Sequence, residues 1–250
     1  MLAEIDCKMM INVQDPNRRP CMGDPLEIVP WALSKLYTMW LRLTYPFAFM
    51  GSGVSLHYTF KANRVMASRI KLGSSVTAAK DVWLNIIREA SDEVNIVIED
   101  NCHLGPRTCI SAKNQIHLER EVRVEASVLI QDHGHVYEDP TLPISKQPAM
   151  PGGRILIERG CRIGQGVAIV CSRGELVLGE HCVVIPNSVV IRGSPPYCVI
   201  GGNPARVIKR LNCSQVQSES PFCSINDMAV KTANSSHLAQ SSRISQREAE

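Results

Sequence analysis

Residues 98–128 read IEDNCHLGPRTCISAKNQIHLEREVRVEASV, and a branched aliphatic residue stands at every sixth position of this stretch. The six positions are Ile98, Leu104, Ile110, Ile116, Val122 and Val128. An amphipathic helix would repeat its apolar residues at three and four, and a half-buried strand would repeat them at two. A spacing of six instead predicts very short strands joined by tight turns, with one aliphatic side chain pointing inward from each side of a coil. Three such sides would form one coil of a parallel β-helix.

The same spacing continues on both sides of this stretch. The further positions are Phe60, Met66, Leu72, Ala78 and Leu84 upstream, and Ile157, Ile163, Ile169, Leu178, Val184 and Val190 downstream. The step from 84 to 98 exceeds a multiple of six by two, which predicts a bulge or loop. The step of nine from 169 to 178 predicts three inserted residues near 172–174. Residues 129–156 break the spacing altogether, and we expect such a long excursion to be functional.

Three segments of the chain carry a resemblance to a known family. They are the pairs Ile163-Gly164 and Leu178-Gly179, the loop QDHGH at 131–135, and PPYCVIGGNPARVIK at 195–209. Together they resemble, over residues 51–210, the hexapeptide-repeat acyltransferases, and the loop is similar to that of the polysaccharide O-acetyltransferase branch. The resemblance implies an all-β fold, the left-handed parallel β-helix. We expect this β-helix to carry an N-terminal helix and a short C-terminal helix.

Four segments are predicted along the chain. We expect an N-terminal arm and capping helix over 1–50, and a β-helix over 51–192 with its active-site loop at 129–156. Residues 193–211 are expected to leave the β-helix as an extension on the CoA side, ending in a short helix from Ala205 to Leu211. Residues 212–250 are rich in Ser, Gln and Asn with few large apolar residues, which predicts a disordered tail.

The predicted N-terminal helix, residues 26–46, has two faces. Ser34, Thr38 and Arg42 form a polar stripe at a spacing of four, and apolar residues lie opposite. The apolar set is Leu33, Leu36, Tyr37, Trp40 and Leu43. One interpretation is a helix that caps the open end of the β-helix, where strand edges would otherwise be exposed. The other is an interfacial helix that touches a membrane surface. The two cations on the polar face, Lys35 and Arg42, are few for a membrane helix, so we favour the cap.

Composition excludes several classes of protein. A formal net charge of +3 over 250 residues is too small to indicate a nucleic-acid partner. No apolar run is long enough for a membrane-spanning helix, and the N-terminal residues lack the apolar region of a signal peptide. The ten cysteines show no C-x-x-C spacing, so we expect small, reduced, partly buried residues. These features predict a cytoplasmic protein.

The resemblance implies transfer of an acetyl group from acetyl-CoA to a saccharide hydroxyl. A neutral imidazole can accept the hydroxyl proton during attack, and His133 matches the family's catalytic histidine by position. Asp132 or Glu138 would orient its ring, and His135 is the alternative base. We expect no metal, because the thiolate is a good leaving group. The alternative is that these polar residues only line a hydrophilic surface loop.

Substrate contacts are predicted from the same resemblance. Asn85 either contacts the acceptor sugar or supports a turn, and Tyr137 and Glu138 are further candidates for sugar contacts. For CoA, backbone N–H groups at Gly164 and Gly166 could meet the pantetheine arm, since glycine permits close approach. Arg192, Arg206 and Lys209 are the cations expected near the CoA phosphates.

Two positions depart from the family pattern. Pro186 stands where a small residue usually lets pantetheine approach, and it has no N–H to donate. Arg162 stands where an aromatic residue usually precedes Ile-Gly. Both departures bear on how CoA would bind.

The resemblance also implies a homotrimer whose active sites are shared between neighbouring chains. Two other functions remain open. A non-catalytic hexapeptide-repeat scaffold would be indifferent to loss of His133. A γ-class carbonic anhydrase would use three histidines on zinc, and the available residues are His103, His117, His133 and His135. That class is expected to have two loop histidines about five residues apart, and this spacing is absent, since His133 and His135 are two apart.

Overall fold

The short strands of the chain wind into six successive coils. A computed structural model describes residues 25–87, 93–148 and 150–211. Helix α1 spans Pro25–Thr44, and the coils follow it. The strands are β1 Phe49–Met50, β2 Ser55–Leu56, β3 Lys61–Ala62; β4 Ile70–Leu72, β5 Thr77–Ala78, β6 Trp83–Ile86; β7 Ile96–Ile98, β8 His103–Leu104, β9 Cys109–Ala112; β10 Gln115–Leu118, β11 Arg123–Val124, β12 Leu129–Gln131; β13 Gly152–Ile157, β14 Arg162–Ile163, β15 Ala168–Val170; and β16 Arg173–Leu178, β17 Val183–Val184, β18 Val189–Val190. Two further strands, β19 Cys198–Gly202 and β20 Ala205–Arg210, end the described chain.

Each coil contributes one strand to each of three sheets. The first sheet runs β1-β4-β7-β10-β13-β16, and the third runs β3-β6-β9-β12-β15-β18. The second runs β2-β5-β8-β11-β14-β17 and continues into β19 and β20. All pairings between coils are parallel, and the inward residues form one apolar core. This confirms the predicted all-β parallel helix, and the architecture matches the left-handed β-helix that the family resemblance implied.

The register corrects one detail of the predicted repeat. The spacing of six predicts that Ile98 pairs with Ile116. Ile98 instead pairs with Leu118, two residues further along the chain, because the turn at 113–114 lengthens this coil. In the second sheet Leu104 likewise pairs with Val124, two residues later than a spacing of six predicts. The predicted positions Ile116, Val122 and Val128 are nevertheless buried. Each of these three sides therefore buries two side chains, two residues apart along the chain.

The predicted irregularities also have structural explanations. The three extra residues before Leu178 lengthen β16, which pairs over six residues with β13. The excursion is shorter than predicted, since β12 ends at Gln131 and β13 begins at Gly152. The predicted bulge between 84 and 98 includes residues 88–92, which lie outside the described residues. The predicted arm over 1–24 and the predicted tail over 212–250 also lie outside them.

Buried cysteines occupy corner positions of the core, as predicted. Cys102, Cys161, Cys182 and Cys198 are free thiols with almost no exposed surface. Burial raises the pKa of Cys102 to about 12. At neutral pH its protonated thiol behaves as a small apolar side chain.

The C-terminal segment is a strand, not the predicted helix. Strand β19 pairs in parallel with β17, and β20 returns antiparallel beside β19. The turn between them contains the cis Asn203-Pro204 peptide. Ala205–Arg210 includes two β-branched residues that suit a strand, and the edge of β19 offers the backbone partners that an isolated helix would have to find within itself. Residues 198–210 therefore extend the second sheet instead of leaving it.

Helix α1 lies against the open edge of the first coil, as the capping interpretation predicted, and its polar stripe faces inward. Ser34, Thr38 and Leu41 are buried. Thr38 Oγ1 accepts a hydrogen bond from Leu56 N at 2.9 Å, and Tyr37 donates to Phe60 O at 2.9 Å. The polar stripe faces inward because it satisfies backbone groups that have no neighbouring strand. Leu33, Leu36, Trp40 and Leu43 consequently face outward, whereas Tyr37 packs against the core.

Candidate active site

The excursion at 132–151 is held closed at its base by three backbone hydrogen bonds. Gly153 N donates to Asp132 O, Met150 N donates to Gly134 O at 2.9 Å, and Val136 N donates to Pro148 O at 3.1 Å. Further out, the buried side chain of Gln147 donates to Asp139 O and Leu142 O. The loop therefore has a defined shape and returns its chain to β13 one coil further along.

Asp132 is the buried centre of the loop. Its carboxylate has no exposed surface. Oδ1 accepts Lys113 N at 2.6 Å, and Oδ2 accepts Asn114 N at 2.8 Å. These two N–H groups belong to the turn that lengthens the fourth coil, so the carboxylate and the turn stabilise each other. The two backbone donors fix the carboxylate in position.

His133 is oriented by this carboxylate. Its Nδ1 lies 3.2 Å from Asp132 Oδ1, and its side chain is 11% exposed. A proton on Nδ1 is donated to the carboxylate, which leaves Nε2 with a free lone pair as an acceptor. Gln131 Nε2 also donates to His133 O at 2.8 Å. The position of the carboxylate favours the tautomer that a general base needs.

Glu138, the other predicted partner of His133, lies elsewhere. Its side chain is 72% exposed and lies 3.6 Å from the guanidinium of Arg173. Of the two candidate carboxylates, Asp132 lies beside the imidazole and Glu138 does not. His135 is exposed, and Tyr137 is 68% exposed. Both side chains lie on the surface of the loop, open to solvent.

A polar row on the third sheet connects Asn85 with the loop. Asn85 aligns with Ser111, and Ser111 aligns with Gln131, on successive coils. Asn85 Nδ2 donates to Ser111 Oγ at 2.9 Å. Since neighbouring strands lie about 4.8 Å apart, Asn85 is two coils, or about 10 Å, from Gln131. Ser111 was not among the predicted site residues, because the spacing of six aligns it with Leu129 and only the longer fourth coil brings it into register with Gln131.

The structure corrects the role predicted for two glycines. Gly164 N donates to Val184 O at 2.8 Å, and Gly166 N donates to Ala126 O at 3.0 Å. Both N–H groups are therefore occupied by neighbouring coils and are not available to a pantetheine arm. A Cβ at Gly164 would lie 2.7 Å from Pro186 N. The glycine permits close approach of the next coil, not of a ligand.

Two of the predicted phosphate-binding cations lie together. Arg192 and Arg206 line a shallow depression with Ser194, Ile200 and Val207 between the last coil and the C-terminal hairpin. Lys209 is exposed on β20, three residues from Arg206. Pro186 is exposed at the corner of the last coil. The structure thus groups the predicted basic residues at the C-terminal end of the β-helix.

The histidines considered for zinc are separated within one chain. His103 lies on the second sheet, where Nδ1 is 2.8 Å from Thr77 Oγ1. His117 lies on the first sheet and contacts Glu99 at 2.9 Å. His133 lies beyond the third sheet. Within residues 25–87, 93–148 and 150–211, no group of three or more His, Cys, Asp or Glu side chains is arranged to hold a metal ion.

Sequence comparisons identify relatives among acetyltransferases. The putative lipopolysaccharide biosynthesis O-acetyl transferase WbbJ of Escherichia coli is 30% identical over 120 residues, which cover 47% of this chain and 61% of the relative. The probable acetyltransferase Rv3034c of Mycobacterium tuberculosis is 26% identical over 203 residues, covering 74% and 59%. The chain thus spans about three fifths of the length of both relatives. No family model matches the chain.

Comparison with solved structures finds proteins that share the fold of this chain. A point mutant of AntD, an N-acyltransferase from Bacillus cereus in complex with dTDP and Coenzyme A, superposes with a TM-score of 0.59. The sequences are 16% identical, and the match covers 78% of this chain and 96% of AntD. At this level of identity the likeness to AntD shows a shared fold. On that β-helix this chain carries a polar loop and a basic C-terminal end, and its sequence relatives are acetyltransferases.

Proposed function

We propose that the protein transfers an acetyl group from acetyl-CoA to a hydroxyl group of a saccharide, with His133 as general base. The observation that carries this proposal is the buried Asp132 carboxylate that fixes His133 Nδ1 and leaves Nε2 available. Nε2 accepts the proton of the sugar hydroxyl while the hydroxyl oxygen attacks the thioester carbon. Collapse of the tetrahedral intermediate breaks the carbon–sulfur bond, and the proton leaves with CoA.

The relatives support a sugar acceptor. WbbJ is named for lipopolysaccharide biosynthesis, and a third relative, 38% identical over 55 residues, is a dTDP-amino-sugar N-acetyltransferase from Aneurinibacillus thermoaerophilus. AntD was solved with dTDP and Coenzyme A. The row formed by Asn85, Ser111 and Gln131 supplies hydroxyl and amide groups for an acceptor near His133. Tyr137 and Glu138 remain predicted sugar contacts from the loop.

We assign the CoA phosphates to the basic residues at the C-terminal end. Arg192 and Arg206 share one depression, and Lys209 extends the positive charge along the edge strand. Guanidinium groups are suited to bind phosphate oxygens in pairs. This assignment places no ligand contact on the N–H groups of Gly164 and Gly166.

A homotrimer is part of the proposal. The outward residues of the third sheet form an apolar column in register, consisting of Trp83, Cys109, Leu129, Ala168 and Val189. The corresponding column of the second sheet is mostly polar, with Thr77, His103, Arg123 and Arg162. Cyclic association would bury the apolar column and bring a neighbouring chain beside His133.

Acetyl-CoA binding and transfer test this function. Calorimetry with the purified chain should show about one site per chain, with micromolar to millimolar affinity. Release of CoA with a panel of saccharides should then be followed by chromatography, because ten cysteines would react with thiol dyes. His133→Ala should abolish transfer and retain acetyl-CoA binding, whereas His117→Ala, on a different sheet, should retain both. Full turnover in His133→Ala would overturn the assigned base.

The scaffold function is the second candidate, because Pro186 removes a donor near the expected CoA path. It predicts no binding of acetyl-CoA in the same calorimetric experiment.

A further inference from the structure

The outer face of α1 is a continuous apolar surface. We define it as Ile28, Val29, Ala32, Leu33, Leu36, Met39, Trp40 and Leu43, which fall on one side of the helix at spacings of three and four. Leu36 is 59% exposed, Trp40 is 50% exposed and Leu43 is 78% exposed. Contiguous exposed apolar surface of this kind marks an interaction site.

The inward contacts of the helix explain why this surface is left uncovered. Ser34, Thr38 and Tyr37 use their hydroxyl groups on the edge of the first coil, and Arg42 donates to Met50 O at 3.2 Å. Only Leu41 of the central turns is an apolar residue buried against the β-helix. Capping therefore needs the polar stripe and makes no use of the outer face.

Cations outnumber carboxylates in α1 and in the coils that follow it. From Pro25 to Asp81 the sequence contains seven Lys or Arg and two acidic residues, Glu27 in the first turn of α1 and Asp81 next to Lys80. The seven are Lys35, Arg42, Lys61, Arg64, Arg69, Lys71 and Lys80. These residues belong to α1, the first coil and the first two strands of the second coil, so they share one end of the β-helix with the outer face.

The apolar outer face and the cations near it favour a lipid surface over a second copy of the chain as the occupant. A second copy of the chain would bring the same cations together and meet them with like charge. An anionic lipid surface offers both an apolar interior for the outer face and negative charge for its basic surroundings. Trp40 is an amphipathic side chain of the type that settles at a membrane–water interface. In the described residues no helix has the length and hydropathy required to cross a membrane.

We propose that the outer face of α1 docks the protein on an anionic lipid bilayer, with the helix lying in the plane of the interface. The leucines and Met39 enter the acyl boundary, and the lysines and arginines remain at the depth of the headgroups. The inference does not depend on the proposed acetyl transfer, because it uses no residue of the His133 loop or of the basic C-terminal end.

Vesicle flotation of the full chain tests this proposal. We expect binding to phosphatidylcholine vesicles that contain one quarter phosphatidylglycerol, weaker binding to pure phosphatidylcholine, and a decrease at high salt. The double variant Leu36→Asp with Leu43→Asp should bind about tenfold or more weakly, because two buried leucines are lost from the contact. Ile191→Asp with Ile208→Asp, exposed residues of the last coil and the C-terminal hairpin, should bind like the wild type.

Two results would overturn the proposal. The first is equal vesicle binding by the Leu36→Asp, Leu43→Asp variant and the wild type, which would place the contact outside the outer face. The second is absence of binding to either vesicle, together with a wild-type assembly that the same variant dissociates, which would identify a second copy as the occupant. Both leucines are exposed, so circular dichroism should show an unchanged fold in the variant.

Discussion

Asp132 Oδ1 lies 3.2 Å from His133 Nδ1 while the same carboxylate accepts the backbone N–H groups of Lys113 and Asn114. One buried group thus holds both the catalytic candidate and the turn that sets the register of the fourth coil. Loss of its charge should affect function and stability together.

Asp132→Asn is expected to lower transfer by about 10²- to 10⁴-fold, because the amide no longer favours a proton on Nδ1. Its NH₂ group would also face a backbone N–H, which should lower the free energy of unfolding by about 1–3 kcal/mol. Urea denaturation and the CoA-release assay measure these two effects. Unchanged transfer in a folded Asp132→Asn protein would show that this carboxylate does not orient the base.

Gly164→Ala should destabilise the β-helix by overpacking. The new Cβ would lie 2.7 Å from Pro186 N and from Val184 O, so the next coil must shift at a cost of about 1–3 kcal/mol. Gly174 is a control, because it has a positive φ but open space around its Cβ position. We expect Gly174→Ala to cost about 1 kcal/mol through its backbone conformation alone. Wild-type stability of Gly164→Ala in thermal unfolding would contradict the close packing.

The C-terminal cations should distinguish CoA from dephospho-CoA. Arg206→Ala and Lys209→Ala are each expected to weaken acetyl-CoA binding by about three- to tenfold, with a smaller effect on the ligand that lacks the 3′-phosphate. Arg120→Ala, an exposed arginine at a corner of the fourth coil, is the matched control. Calorimetry with both ligands makes the comparison. Equal losses for the two ligands would refute a contact with the 3′-phosphate.

Leu129→Glu should dissociate the proposed trimer, since it places a charge in the middle of the apolar column. Sedimentation should then show single chains, and transfer should be lost because the site needs a neighbouring chain. Val183→Glu, an outward position on the second sheet, should leave the assembly intact. A trimer that survives Leu129→Glu, or dissociates equally in Val183→Glu, would exclude this face.

His57 should reduce the stability of the protein in acid. Burial lowers the pKa of His57, Asp81 opposes this effect and Lys80 adds to it. Thr59 N also donates to His57 Nδ1 at 3.2 Å, which requires an unprotonated nitrogen. The unfolded chain therefore binds this proton more readily, so stability is full above the ordinary pKa of about 6.5 and falls as the pH drops through it.

We expect the wild type to lose more unfolding free energy between pH 7.5 and pH 5.5 than His57→Gln does. Urea denaturation at the two values measures the difference, and the other histidines contribute equally to both proteins. The same loss in wild type and variant would mean that His57 takes up its proton as readily in the folded chain as in the unfolded one.

The six-residue spacing, by itself, predicted the parallel β-helix, because every inward strand position has to be apolar whatever its partners are. The break in the spacing also located the excursion, and the resemblance of the loop at 131–135 to a known family singled out Asp132 and His133. The sequence could not assign Asp132 rather than Glu138 to the imidazole, because both carboxylates lie close in sequence and only the path of the loop separates them.

Only the tertiary structure decided three other features. Ala205–Arg210 became a strand because the free edge of β19 was available to it. The N–H groups of Gly164 and Gly166 bond to neighbouring coils, which the local sequence does not reveal. Apolar periodicity alone would turn Leu36 and Trp40 of α1 inward. The unpaired backbone of the first coil required hydrogen bonds that only Ser34, Thr38 and their polar neighbours could make, and this requirement turned the apolar side outward.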